Sequence, residues 1–274
     1  MTAAELTDLY WMQDLTLRKI GAMYGHTQQW AWSRMKKFGI RCRTISEGAI
    51  HSHKNDIPSC NIQKFMEWTP ESAYFLGFLY TDGFITIRPQ YRCHKIGFML
   101  QRKDRYILEW FKSYFGIRAN VIDGISKGSK NWKGNKTYLN SKLHFNNKKL
   151  AIYLKNFGAK RAEIINKIPK DLFYDFLTGV LDGDGWARKF LPKGYKKEQY
   201  HFGICGQKDF IELLGERLGR NIRKCGTIWA IDWTQGFMKT IGSKMYKSFG
   251  LKRKKDIVNE CLNLKLRRGK FDCR

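Results

Sequence analysis

Two short runs carry residues whose types and placing suit chemistry: FLGFLYTDG at 75–83 and LTGVLDGDG at 177–185. Each is an apolar, helix-like stretch ending in Asp-Gly, so each sets one carboxylate, Asp82 or Asp184, where a helix gives way to a strand. Singly, neither run would mean much, because Asp-Gly is a common turn pair and an apolar helix of this length is ordinary core. The two copies are displaced by 184 − 82 = 102 residues, and each heads a basic, strand-like segment. Gly77 and Gly179 hold equivalent places in the runs. A mid-helix glycine costs about 1 kcal/mol relative to alanine, and close approach of two helix backbones would offset that cost. Packing side by side about a pseudo-twofold brings the C-terminal ends of the helices together, and Asp82 and Asp184 with them. Two carboxylates that close repel unless a cation joins them, and among oxygen ligands Mg²⁺ is the natural candidate.

The rest of the chain repeats around these runs. FITIRPQYRCHKIGFML follows the first and WARKFLPKGYKKEQYHFGIC the second. QRKDRYILEWFKSYFG is echoed by GQKDFIELLGERLG, and YLKNFGAKR at 153–161 by MYKSFGLKR at 245–253. Matched landmarks in one order imply an internal duplication. Each half reads as helix, hairpin, helix, hairpin, helix. The predicted fold is therefore α+β, with two pseudo-symmetric αββαββα halves at 70–170 and 171–274. Alternation in Arg92-Cys93-His94-Lys95-Ile96-Gly97-Phe98 predicts sheets with one face on a helical core and one turned outward. The outward faces and hairpins offer Arg88, Arg92, Lys95, Arg188, Lys189, Lys193, Lys196 and Lys197 to a polyanion. The connection ISKGSKNWKGNKTY, with Trp132, reads either as a solvated loop or as a groove contact.

Ahead of the repeats, residues 1–45 read as a small helical module with helices at 4–12, 16–24 and 28–38. Leu17, Ile20, Ala22 and Met23 give one apolar stripe, Gly25 a turn, Thr27 an N-cap, and Trp30, Met35 and Phe38 a second stripe. This is the pattern of a helix-turn-helix, whose second helix enters the major groove. Gln28, Gln29, Ser33, Arg34 and Lys37 would then face DNA; a helical hairpin that merely packs is the plainer alternative. Residues 46–69 turn polar and read as a linker, in which His51 and His53 are loop residues rather than metal ligands.

Charge sets the partner class. The chain has 274 residues, 51 Lys and Arg against 24 acids, and a net charge of +27. Self-repulsion on that scale points to nucleic acid as the usual companion. No apolar run is long enough to span a bilayer and the N-terminus lacks a secretory pattern, so no membrane partner is expected. Seven scattered cysteines without a C-x-x-C pair fit reduced thiols. The expected location is intracellular: cytoplasm, nucleoid or an organelle matrix.

FLGFLYTDG and LTGVLDGDG resemble the paired signature of the LAGLIDADG homing endonucleases, and the duplicated form resembles the single-chain, monomeric members. The resemblance covers roughly residues 70–270. It implies signature helices at the interface of the halves, with the sheets arched as a DNA-binding saddle. Asp82 and Asp184 would hold two or three Mg²⁺ or Mn²⁺ ions, helped by the carbonyls of Thr81 and Gly183. Both strands of a long asymmetric duplex site would be cut, leaving 3′ overhangs. One departure is visible: the first acid of the signature is Asp182 in the second half but Tyr80 in the first, where a packing role is expected.

The same resemblance places a basic catalytic residue on the last strand of a half, which Lys142 fits, equally with a plain phosphate contact. The matching strand IWAIDWT offers Asp232. A water-ordering glutamine at the start of the central helix would be Gln207, with Arg102 at the equivalent place. Two other functions stay open: an RNA-splicing maturase binding intron RNA, and a DNA-binding regulator that does not cut.

Overall fold

The computed structural model describes residues 1–13, 15–44, 47, 59–88, 90, 93–127, 137–194, 197–247 and 249–264. The chain divides into two units, Met1–Pro58 and Ser59–Arg274. Arg92, Lys196, Trp132, His51 and His53 lie outside the described residues.

The first unit is helical. α1 (Ala3–Thr7) runs into a π-helical turn at Asp8–Met12 and is followed by α2 (Leu17–Met23) and α3 (Gln28–Lys37). Threonine caps all three helices: the side chains of Thr2, Thr16 and Thr27 accept from the backbone N–H groups of Glu5, Lys19 and Trp30. Leu6, Leu9, Tyr10, Ile20, Ala31 and Met35 form the small core. The first apolar stripe differs from expectation: Ala22 and Met23 are exposed, Met23 by 61%. Gly21 takes the buried place, because a Cβ there would stand 2.5 Å from the Thr27 carbonyl oxygen. The turn between α2 and α3 closes over a missing side chain.

The second unit begins within the stretch read as linker. Residues 59–68 belong to it, with Cys60 and Phe65 in its core: α4 (Ile62–Met66) buries Phe65 in a stack on Phe115, with ring centroids 4.0 Å apart. The first half then runs α5 (Pro70–Thr81), β1 (Gly83–Arg88), β2 (Cys93–Gln101), α6 (Arg105–Tyr114), β3 (Ile122–Lys127), β4 (Thr137–Asn146), α7 (Lys148–Phe157) and a short α8 (Ile164–Lys167). The second runs α9 (Phe173–Asp184), β5 (Gly185–Phe190), β6 (Gln199–Gly206), α10 (Lys208–Leu218), β7 (Arg223–Cys225), β8 (Ile228–Thr234), α11 (Gln235–Ile241) and α12 (Lys252–Asn263). The αββαββα order holds in both. Each half makes a four-stranded antiparallel sheet, ordered β1-β2-β4-β3 and β5-β6-β8-β7. Amphipathic α6 and α10 cover one face of each sheet with Ile107, Leu108 and Phe111, and with Phe210, Ile211 and Leu214, all buried.

At the centre α5 packs on α9, and the two glycines fix their separation. A Cβ on Gly77 would stand 2.1 Å from the Phe176 carbonyl oxygen, and one on Gly179 2.2 Å from that of Tyr74. The cost of two mid-helix glycines is met by this contact. No described helix is long and apolar enough to cross a membrane.

Candidate functional site

Where α5 ends, Asp82 is the C-cap residue; where α9 ends, Asp184 is the last helical residue. The helix pair brings the two close enough for the Asp184 charge to act on Asp82. Both side chains reach solvent, yet the surrounding protein strips part of the hydration a carboxylate needs. That burial first, and then the charge of Asp184, push Asp82 up to about 6. Burial also raises Asp184, opposed by Lys160 and Lys254. Neither carboxylate accepts a hydrogen bond from a described residue. Two unpaired hard oxygen donors side by side suit Mg²⁺ or Mn²⁺. Among the described residues no third acid, histidine or cysteine joins them as a metal cluster. Of the neighbouring carbonyl groups, that of Thr81 lies 3.4 Å from Lys160 Nζ. Gly183 is pressed on the same threonine: a Cβ at 183 would come 1.9 Å from Thr81 Oγ1.

Asp182, two residues before Asp184, does different work. It is buried and accepts from Tyr74 Oη at 2.9 Å, Tyr246 Oη at 2.6 Å and the Leu251 N–H at 2.7 Å. It thereby ties α9 to α5 and to the segment leading into α12. Burial nevertheless raises it to about 6, against the pull of those bonds and of Lys254. Tyr80, its counterpart in the first half, stacks on Phe210 with centroids 4.0 Å apart, which matches its expected packing role.

Two lysines escaped the sequence reading. Lys160 Nζ donates to the carbonyls of Leu79 (3.0 Å), Tyr80 (2.5 Å) and Gly83 (2.8 Å) at the end of α5. Lys254 Nζ donates to those of Leu181 (2.6 Å), Asp182 (2.8 Å) and Gly185 (2.6 Å) at the end of α9. Each ammonium satisfies carbonyls that a helix end leaves orphaned and opposes the negative end of its dipole. Both are lowered by burial, Lys254 to about 8, while the nearby aspartates resist that shift. The two ammonium groups thus partly offset the charge of the two carboxylates. The echo FGAKR/FGLKR points at Lys160 and Lys252; the working pair is Lys160 and Lys254, a slip of two residues.

Lys142 lies half-buried on the outward face of β4, between Met99 of β2 and Ile122 of β3, and carries no ion pair or hydrogen bond to a described residue. It neighbours the row Gly83–Phe98–Leu143, two strands from the end of α5, a backbone span of about 10 Å. Burial lowers His144 on the same face, and Lys95 and Lys142 push it the same way, so positive charge gathers here. The pairing corrects one expectation: Gly203 faces Asp232 as Gly97 faces His144, so the residue matching Lys142 is Ala230, not Asp232.

Gln207 is the exposed N-cap residue of α10, with no side-chain hydrogen bond. Arg102, its counterpart, is ion-paired with Asp123 at 3.1 Å. Among the outward basic residues, Arg88, Arg188, Lys193 and Lys197 are exposed and Lys95 half-buried. Lys189 is placed otherwise: it shares the face of Ala187, opposite to Arg188, and is held by Glu198 at 3.0 Å and Glu260 of α12 at 3.1 Å. In the first unit Gln28, Gln29, Ser33 and Lys37 are exposed, and Arg34 lies 5.5 Å over the Trp30 ring.

A stability test follows from the raised acids. In EDTA, Asp82→Asn is expected to be more stable than the native chain at pH 8, by on the order of 1 kcal/mol after solvent screening. The folded value of about 6 exceeds the ordinary 3.8, so ionised Asp82 opposes folding above pH 6. The gap should close between pH 6 and 4, and Mg²⁺ should stabilise the native chain more than the variant. Thermal melts with and without the ion measure both.

No family model and no curated protein matches the sequence. Solved structures do. The homing endonuclease I-WcaI, bound to its DNA recognition sequence, overlaps with a TM-score of 0.52 at 11% identity, covering 81% of this chain and 97% of that one. The meganuclease I-SmaMI on uncleavable DNA gives 0.47 at 15% identity, over 71% and 90%. The LAGLIDADG homing endonuclease I-LtrWI on target DNA gives 0.46 at 14%, over 69% and 88%. The overlap with I-WcaI carries the fold.

Proposed function

On a fold shared with the single-chain LAGLIDADG homing endonucleases, we propose that this chain is a site-specific, metal-dependent DNA endonuclease acting as a monomer. It recognises a long asymmetric duplex and cuts both strands to leave 3′ overhangs. The observation that carries the reading is the pair Asp82 and Asp184, brought together by α5 and α9, with carboxylates that accept no hydrogen bond from a described residue.

Those two residues, with the carbonyls of Thr81 and Gly183 beside them, would hold Mg²⁺ or Mn²⁺. A bound divalent ion supplies charge neutralisation at the scissile phosphate and a more acidic water. The chain supplies the rest. Lys160 and Lys254 hold the helix ends in place, so the carboxylates are aligned before substrate arrives. Lys142 and Lys95 turn ammonium groups towards the duplex, and Gln207 offers a solvent-facing amide for ordering water. The net charge of +27 draws the duplex in through counterion release.

Incubating the protein and Mg²⁺ with a randomised duplex library, and sequencing the linear ends, is the decisive experiment. Cut products that share a long asymmetric sequence and vanish in EDTA are expected. Binding without cutting would return the protein to the regulator class, and preferential binding of structured RNA to the maturase class.

The N-terminal unit enters this function as a helix-turn-helix that extends the contacted site through α3. Replacing Gln28, Gln29, Ser33 and Lys37 together by alanine touches no core residue. It is expected to weaken duplex binding roughly tenfold, with the cutting rate at saturating protein unchanged. Gel-shift titration beside single-turnover cleavage separates the two; equal affinity would make the unit a packing module.

A further inference from the structure

The second sheet carries an arrangement on its outward face that the first lacks, and its meaning rests on the reading of these faces as duplex-binding. Strand pairing sets Arg223 of β7 beside Ala230 of β8, with Asp232 two residues along the same face. The small side chain at 230 leaves room for the Arg223 stem, and Arg223 Nε donates to Asp232 Oδ2. The Cys225 thiol also lies against this guanidinium. Asp232 Oδ1 is buried without a hydrogen bond; His201 Nε2 stands 3.6 Å from it. His201 Nδ1 in turn accepts from Trp186 Nε1 at 3.4 Å, so the neutral imidazole carries its proton on the side of Asp232.

One guanidinium is therefore held by a carboxylate that packs beside His201, while the Arg223 side chain remains 51% exposed. With Nε committed to the carboxylate, the terminal nitrogens are the ones left for a ligand, as a fixed parallel pair. A clamp for phosphate gains nothing from a carboxylate at its back, because the pair is electrically neutral and the acid repels the ligand. A planar fork whose rotamer is already fixed suits an acceptor pair on a base edge. In the major groove, that pair is N7 and O6 of guanine. In the first sheet the matching places hold Ile122, Lys142 and His144, so no guanidinium stands at the place of Arg223; the Arg102 guanidinium, which also gives Nε to a carboxylate, is paired with Asp123 on the face of Ser141, opposite to Lys142.

We infer that Arg223 reads a guanine in the half of the target under the second sheet, and that Asp232 is its positioning residue. The matching place in the first sheet holds Ile122, which has no such fork, so these two places read the target by different chemistry.

The test is selection from a randomised duplex library by binding, run in parallel with selection by cutting, for the native chain, Arg223→Gln, Arg223→Lys and Asp232→Asn. The native chain should show one position with a strong guanine preference that Arg223→Gln loses by roughly ten- to a hundredfold, other positions holding. Lysine should fail to restore it, since it lacks the fork. Asp232→Asn should loosen the same position and raise binding to unrelated duplex, because a cation is freed. A loss in Arg223→Gln spread evenly over all positions, with the salt slope shallower by about one, would make the residue a phosphate contact and overturn the inference. An unchanged profile would overturn it too. Native protein that binds selectively but does not cut would sink the nuclease reading alone, leaving the guanine assignment to the binding profile.

Discussion

Asp184→Asn and Asp82→Asn are each expected to lower double-strand cutting roughly a thousandfold or more, while duplex binding stays within a few-fold. Neither carboxylate accepts a hydrogen bond from a described residue, so the neutral amide breaks no contact, and at Asp82 it relieves a repulsion. What disappears is half of the hard-oxygen pair. Asp182 provides the contrast two residues back. It accepts three hydrogen bonds, and in Asp182→Asn an N–H group would face a donor, so that variant should lose stability before it loses chemistry. Single-turnover cutting, gel shifts and melts on the three variants separate the roles. Asp184→Asn that still cut both strands at the native rate would remove the proposed site.

The second large effect belongs to the helix contact. Gly179→Ala would set a methyl 2.2 Å from the Tyr74 carbonyl oxygen and 2.7 Å from the Phe78 nitrogen; Gly77→Ala would set one 2.1 Å from the Phe176 oxygen. These are backbone atoms inside helices and cannot step aside, so the helices must part and the packing along α5 and α9 goes with them. A loss of about 3 kcal/mol or more is expected for either variant, read from urea unfolding. Gly206→Ala is the control, since a methyl there meets nothing nearer than 3.7 Å. The separation also sets the spacing of the carboxylates, so any Gly77→Ala protein that folds should cut slowly.

Much of this was legible in the sequence because its signals are local or repeated. Apolar runs of helical length, alternating strands and two copies of one order gave the halves, their elements and the two glycines. What stayed hidden depends on partners far along the chain. Lys160 and Lys254 look like surface residues in a basic protein; only the fold reveals that each reaches a helix end formed much earlier. The match of Ala230 to Lys142 needed strand register, which a loose repeat alignment cannot supply. Lys189 is the instructive miss. Side chains alternate along a strand, so Arg188 and Lys189 cannot both face one ligand, and the rule was available without coordinates.

The lysine at the end of α9 also has a bearing on biosynthesis. A ribosome must release residue 254 before the carbonyls at 181, 182 and 185 find their ammonium. Tyr246 and Leu251, which hold Asp182, emerge hardly sooner. Partial translation products therefore hold the end of α5 through Lys160 but lack the supports of α9, and the second aspartate reaches its final setting only when this segment docks.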